Sequence, residues 1–280
     1  MNNFITRTVS GTIFLGILLA ALIFHPVGFG AAFLLIMTVG LCELYAMTLP
    51  DRRALPAKII GCLTAISLFL LIFLNNMLLI DRRWFALLIV PLMALFVVEL
   101  YLSAQKPFDN IARALGGIIY VALPFSLFSE LVFVEGNYRY GILLTLFVML
   151  WCNDVGAYCF GMLFGRGGKH KLFERISPKK SWEGFAGGAV FLMAATFVIR
   201  IYSPEWLPVP AVHACALAAI VTVMATFGDL VESMFKRSAG IKDSGQIMPG
   251  HGGILDRFDG ALLAFPCALA YLKIFNIEYF

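Results

Sequence analysis

The residues best placed to do chemistry lie in the last quarter of the chain. Asp229, Glu232, Ser233 and Lys236 are spaced i, i+3, i+4 and i+7. A helix through them would gather two carboxylates, a hydroxyl and an ammonium within an arc of about 100°. Such a face could hold a metal ion and a phosphate together; the plainer alternative is a solvated helix end laced with charge pairs. Lys242-Asp243-Ser244-Gly245 follows, then Pro249-Gly250-His251-Gly252-Gly253-Ile254-Leu255-Asp256-Arg257-Phe258-Asp259-Gly260. The glycines allow close backbone approach to a ligand, and Asp256 and Asp259 stand one helical turn apart. Carboxylates are hard oxygen donors, which suit magnesium better than zinc.

Two earlier segments add polar groups. Trp151-Cys152-Asn153-Asp154-Val155-Gly156-Ala157-Tyr158 puts an amide and a carboxylate inside an apolar run. An ionisable group there is costly unless paired, which makes Asp154 a candidate; the bland alternatives are a salt bridge for Asp154 and interhelical contact for Asn153. Gly161, Gly165, Gly167 and Gly168 ahead of Lys169 do not form a phosphate-binding P-loop, because Leu163 and His170 occupy positions that need Gly and Ser or Thr. Ser177-Pro178-Lys179-Lys180-Ser181-Trp182-Glu183-Gly184 predicts a helix opening at the serine before the proline. Two lysines and a hydroxyl at that helix start would suit a phosphate, or would simply cap the helix and mark a membrane surface.

These residues must be carried by membrane helices. Of 280 residues 61% are hydrophobic and 14% charged, with mean hydropathy +0.89. That excludes an ordinary soluble enzyme. A net charge of +4 gives no reason to expect a nucleic acid partner. Cys42, Cys62, Cys152, Cys159, Cys215 and Cys267 lie in apolar runs without a CxxC pair, and read as reduced packing residues. Apolar runs of about 20 residues recur throughout. They predict nine spans near 9–27, 29–48, 57–77, 84–104, 112–134, 140–164, 184–202, 207–227 and 260–276, the first a retained helix rather than a cleaved signal.

The basic residues orient these spans. With the N-terminus in the cytoplasm, the cytoplasmic segments hold Arg7; Arg52, Arg53 and Lys58; Lys106 and Arg113; Arg166, Lys169, Lys171, Arg175, Lys179 and Lys180; and Lys236, Arg237, Lys242 and Arg257. The opposite side holds Arg82, Arg83, Arg139, Arg200 and Lys273. Sixteen against five is a clear positive-inside bias. The expected fold is an all-α polytopic membrane protein of one integral domain. Residues 1–140 form scaffold helices without a reactive constellation, and residues 141–280 carry the active site at the cytoplasmic interface.

Ser233-x-x-Lys236-Arg237 with Lys242-Asp243, then His251-Gly252-Gly253-x-x-Asp256-Arg257-x-Asp259, resembles the signature of the phosphatidate cytidylyltransferases, the CDP-diacylglycerol synthases. Trp151–Tyr158 with Asp154, and Ser177–Gly184, look like the same family. The resemblance implies a multi-pass protein of the bacterial cytoplasmic membrane that uses magnesium, with room for a second cation, to make CDP-diacylglycerol and pyrophosphate from CTP and phosphatidate. It further implies that Asp229, Asp256 and Asp259 hold the metal and, with Lys236, form the catalytic set. Lys236, Arg237, Lys242 and Arg257 would neutralise the triphosphate. Lys179, Lys180 and Ser181 would hold the lipid phosphate or CTP, with Asp154, Glu183, Ser233, Asp243 and His251 completing the substrate site. A homodimer is compatible with the family. Three alternatives stay open at this point: a CTP-dependent lipid kinase, a secondary transporter and a CDP-alcohol phosphotransferase. The last two lack, respectively, paired broken helices and a longer aspartate array.

Overall fold

A computed structural model describes residues 3–102, 106–165, 170–248, 250 and 252–277. The chain is overwhelmingly helical: α1 (Asn3–Phe24), α2 (Pro26–Thr48), α3 (Leu55–Asn76), α4 (Ile89–Tyr101), α5 (Pro107–Gly117), α6 (Leu123–Phe128), α7 (Gly141–Phe164), α8 (Trp182–Tyr202), α9 (Ala211–Ser238) and α10 (Leu255–Ile274). Among the described residues seven helical segments are long and apolar enough to cross a membrane: Pro26–Thr48, Arg52–Asn76, Arg82–Tyr101, Pro107–Leu131, Gly141–Phe164, Trp182–Tyr202 and Ala211–Ser238. The apolar part of α1, Thr8–Phe24, is shorter, and α10 opens on a charged turn. The protein is therefore a polytopic helical membrane protein.

The expectation of an all-α chain needs one amendment. Two small antiparallel hairpins are present, β1 (Phe133–Val134) with β2 (Asn137–Tyr138), and β3 (Lys171–Phe173) with β4 (Ser177–Ser181). The helix expected to open at Ser177 opens instead at Trp182. Residues 177–181 are held extended by pairing with β3, and Ser181 becomes the N-cap, its Oγ accepting from the Gly184 amide at 3.2 Å. The break at His25-Pro26 is a helix boundary, with the His25 ring nitrogen capping α2 through the Val27 amide and Pro26 in the first turn. Pro124 makes no break. Residues 118–122 form a π turn joining α5 to α6, and the Tyr45 hydroxyl donates to the Ala114 carbonyl beside it at 2.7 Å.

Two compact units make up the chain. The first comprises residues 1–138 and 241–257, the second residues 139–240 and 258–280. The segment 241–257 thus belongs with the N-terminal helices. In the first unit, Phe29, Phe33, Phe69, Phe73, Phe125 and Phe128 form an aromatic core with edge and stacked contacts. In the second unit, α7 and α8 approach closely over small residues. A Cβ on Gly156 would meet the Gly187 carbonyl at 2.9 Å, and one on Gly188 would meet the Asn153 side chain at 2.8 Å.

Candidate active site

The second unit brings five of the expected residues together from four elements. At Gly228 of α9 the backbone of α10 comes so close that a side chain would run into the carbonyl of Asp259 and, at 2.9 Å, the Cα of Gly260. Only glycine admits this approach, and it sets Asp229, the next residue on α9, beside Asp259 in the first turns of α10. Lys180 reaches in from β4, its Nζ 2.6 Å from Asp229 Oδ2 and 3.4 Å from the Thr226 carbonyl. The Ser233 hydroxyl donates to Asp229 Oδ1 at 3.2 Å, as the i, i+4 spacing predicts. Asp154 of α7 is the other carboxylate that Asp259 feels.

Electrostatics follow from this crowding. Asp259 lies just ahead of the apolar stretch 260–276. The Gly260 amide donates to its Oδ1 at 2.6 Å, and the Asp229 carboxylate stands beside it. Like charges drawn together with one ammonium between them are an arrangement that gains from a further cation. Among the described residues no group of three His, Cys, Asp or Glu side chains forms a ready-made metal cage. Magnesium delivered on a nucleotide needs only one or two protein carboxylates, since water and phosphate oxygens fill the rest. The hard-oxygen pair Asp229 and Asp259 fits that requirement.

Lys236 has a different setting from the one its spacing suggested. α9 does continue through it, but Glu232 is fully buried and Lys236 nearly so, and the two form an i, i+4 ion pair. A solvated helix end does not describe this. Arg237, the next residue on α9, is exposed.

Around β4, Lys179 is exposed and Ser181 is buried as the cap of α8. Glu183, in the first turn of α8, is 2.6 Å from the His170 Nδ1. The hairpin thus fixes its lysines through a helix cap and a His–Glu contact.

The first unit holds the rest of the signature. The segment closes on itself through an antiparallel bridge between Met248 and Gly252, with Gly250 and Gly252 at positive φ. Asp256 Oδ2 accepts from the amides of Ser244 (2.9 Å) and Gly253 (2.8 Å) and lies 2.9 Å from the Ser244 hydroxyl. Asp256, expected as a metal ligand, thus gives one of its oxygens to tying the loop together. Lys242, Asp243 and Arg257 are exposed on this segment, and His251 lies outside the described residues.

One residue of this loop's environment went unrecognised in the sequence. Glu43, in the last two turns of α2, is buried. Its Oε1 accepts from the Ile254 amide (3.0 Å), and its Oε2 accepts from the Leu255 amide (2.9 Å) and lies 3.1 Å from the Ser244 hydroxyl. A carboxylate inside an apolar span was the available signal, the same one that singled out Asp154.

Comparison with known proteins agrees with the signature. The model of the cytidylyltransferase family matches residues 5–275. The phosphatidate cytidylyltransferase of Bacillus subtilis is 36% identical over 191 residues, 65% of this chain and 68% of that protein. Those of Staphylococcus epidermidis and Staphylococcus saprophyticus are 39% identical over 178 residues and 40% over 163, covering 61% and 57% of this chain. The matched stretch spans 64% and 58% of those two relatives, less than two thirds of their length. With a family model that matches it almost end to end and a signature held in two ordered polar clusters, the chain belongs to the cytidylyltransferase family.

Proposed function

We propose that the protein transfers CMP from CTP to phosphatidate, giving CDP-diacylglycerol and pyrophosphate, at the cytoplasmic surface of the membrane. The observation that carries this reading is the convergence of Asp154, Lys180, Asp229 and Asp259 from four different elements. Membership of the family and the names of its relatives support the choice of substrates.

The chemistry asks little covalent work of the protein. A phosphate oxygen of the lipid attacks the α-phosphorus of CTP, the bond from that phosphorus to the β-bridging oxygen breaks, and pyrophosphate departs with the bonding pair. The attacking phosphate is already anionic near neutral pH, so the residues must position two mutually repelling anions and neutralise charge as it moves to the leaving group. Lys180, oriented by Asp229 and the Thr226 carbonyl, is the ammonium proposed to meet phosphate there. Lys179, Arg237, Lys242 and Arg257 are the exposed cations proposed to meet the remaining phosphate oxygens. Asp229 and Asp259 are the side chains that would hold magnesium, which when bound with the nucleotide supplies positive charge to the triphosphate. Lys236 has no part in this scheme, because its ammonium is committed to Glu232.

The reading places the N-terminus in the cytoplasm. Nine spans, the seven apolar segments together with α1 and α10, then bring the connections 165–181 and 239–254 to the cytoplasmic side, where CTP is found. The test is to incubate purified protein in liposomes with phosphatidate, magnesium and CTP labelled at the α or the γ phosphate. Label from the α position in the lipid product is expected. Label from the γ position would instead make the protein a lipid kinase, and no labelled lipid would exclude both.

A further inference from the structure

We propose that Glu43 is a positioning residue for this reaction: from α2 it fixes the loop 241–257 and the start of α10, and through them the placement of Asp256 and of the cations Lys242 and Arg257 that this segment presents. The inference rests on the cytidylyltransfer reading above and adds to it a residue from the N-terminal half, outside every motif of the signature.

Three observations support it. First, the Glu43 carboxyl oxygens accept from two successive backbone amides, Ile254 and Leu255, where α10 begins. The first amides of a helix have no partner within it, and their positive dipole end favours a carboxylate; here the cap comes from another helix, more than 200 residues away in the chain. Second, Ser244 joins the two ends of the loop. Its hydroxyl lies 3.1 Å from Glu43 Oε2 and 2.9 Å from Asp256 Oδ2, so its single proton is bracketed by both carboxyls, and its amide donates to Asp256. A single residue, Ser244, thereby separates Glu43 from a signature aspartate, Asp256.

Third, the loop is shaped around this side chain. The three atoms nearest a Cβ on Gly245 would all belong to Glu43, its Oε1, Cδ and Cγ, and those nearest a Cβ on Gly253 would be the Ser244 hydroxyl and the Glu43 carboxyl. Neither glycine sits at a positive φ that would by itself require glycine. The room they leave is filled by the glutamate. One turn earlier on α2, a Cβ on Gly40 would lie 3.9 Å from side-chain atoms of Ile254 and Leu255, so this face of the helix packs against the start of α10.

A group that only stabilises the fold and a group that orients the reacting parts make different predictions. Misplacing reactive groups by about 1 Å can cost on the order of 100-fold in turnover with the fold intact. Glu43→Ala, the isosteric Glu43→Gln and Glu43→Asp would be purified alongside Gly245→Ala and the Glu43→Ala/Gly245→Ala pair. Initial rates with α-labelled CTP and phosphatidate would be expressed per folded molecule, and hydrogen exchange followed in peptides covering 241–257. Glu43→Ala and Glu43→Gln should lose roughly 10- to 100-fold in kcat, with KM for CTP within about threefold of the native value. Glu43→Asp should recover part of the loss, and the amides at 254–255 should exchange faster in the first two variants.

The glycine gives a sharper arm. Gly245→Ala should be costly in the native background and change kcat by less than about twofold once Glu43 is alanine, because the atoms it strikes are gone. A Glu43→Ala protein with native kcat per folded molecule, or with undiminished protection at 254–255, overturns the proposal, as does an equal cost of Gly245→Ala in both backgrounds. If Glu43→Ala does not reach the membrane, Glu43→Gln and Gly245→Ala carry the same comparison. A native protein that puts no α-label on lipid refutes the function proposed above. Exchange at 254–255 still decides whether Glu43 holds the loop.

Discussion

Replacing Lys236 by alanine separates structure from spacing most clearly. Glu232 is completely buried, the Lys236 side chain is only 11% exposed, and the two form an ion pair. Removing one partner of a buried ion pair costs about 3 to 5 kcal/mol, because the remaining charge stays desolvated. That is roughly two to three and a half orders of magnitude in the folding equilibrium. Removing both charges with the shape kept, as in Glu232→Gln/Lys236→Met, should return most of that loss. Thermal unfolding in detergent, followed by gel filtration, would show Lys236→Ala melting well below the native protein and the double variant close to it. Turnover of the molecules that remain folded should stay within about threefold of native. Lys236→Ala with a native melting point and no turnover would refute this reasoning and return the ammonium to the substrate, where the i+7 spacing first suggested it.

Other perturbations address the rest of the molecule. Asp229→Asn removes the charge that orients Lys180 and should lower CMP transfer by about 100-fold or more, whereas Ser233→Ala should cost less than about tenfold, both read with labelled CTP. Gly188→Leu should drive α7 and α8 apart at Asn153 and abolish the folded protein in membranes, measured by its yield in the detergent-soluble peak. Tyr45→Phe removes one buried hydrogen bond, to the Ala114 carbonyl, and should destabilise by about 1 kcal/mol in the same melting assay.

Hydropathy made the membrane helices legible because a span must be apolar for its whole length, a demand no tertiary contact relaxes. The pairing of Asp229 with Ser233 was equally readable, since helical periodicity alone sets it. What lay out of reach depended on partners distant in the chain. Glu43 is one acidic residue in an apolar run, and nothing near it announces the amides it will cap. Ser177 before Pro178 reads as a helix start until Lys171–Phe173 turns the segment into a strand. Lys236 looked presentable to substrate on a helical wheel, which says nothing of burial. The π turn at 118–122 has no local marker either, as Pro124 falls after it.

The segment 241–257 also sets an order of events during synthesis. Glu43 enters the bilayer early, yet the groups that satisfy it are 201 to 212 residues further along the chain. At about 5 to 20 residues per second, the ribosome takes roughly 10 to 40 s to make them. Through that interval an acidic side chain waits inside a nascent helix without these donors, at a cost only the finished chain removes. A polypeptide that stops short of Leu255 therefore carries its own mark of incompleteness, an unsatisfied carboxyl in its second helix for membrane quality control to read.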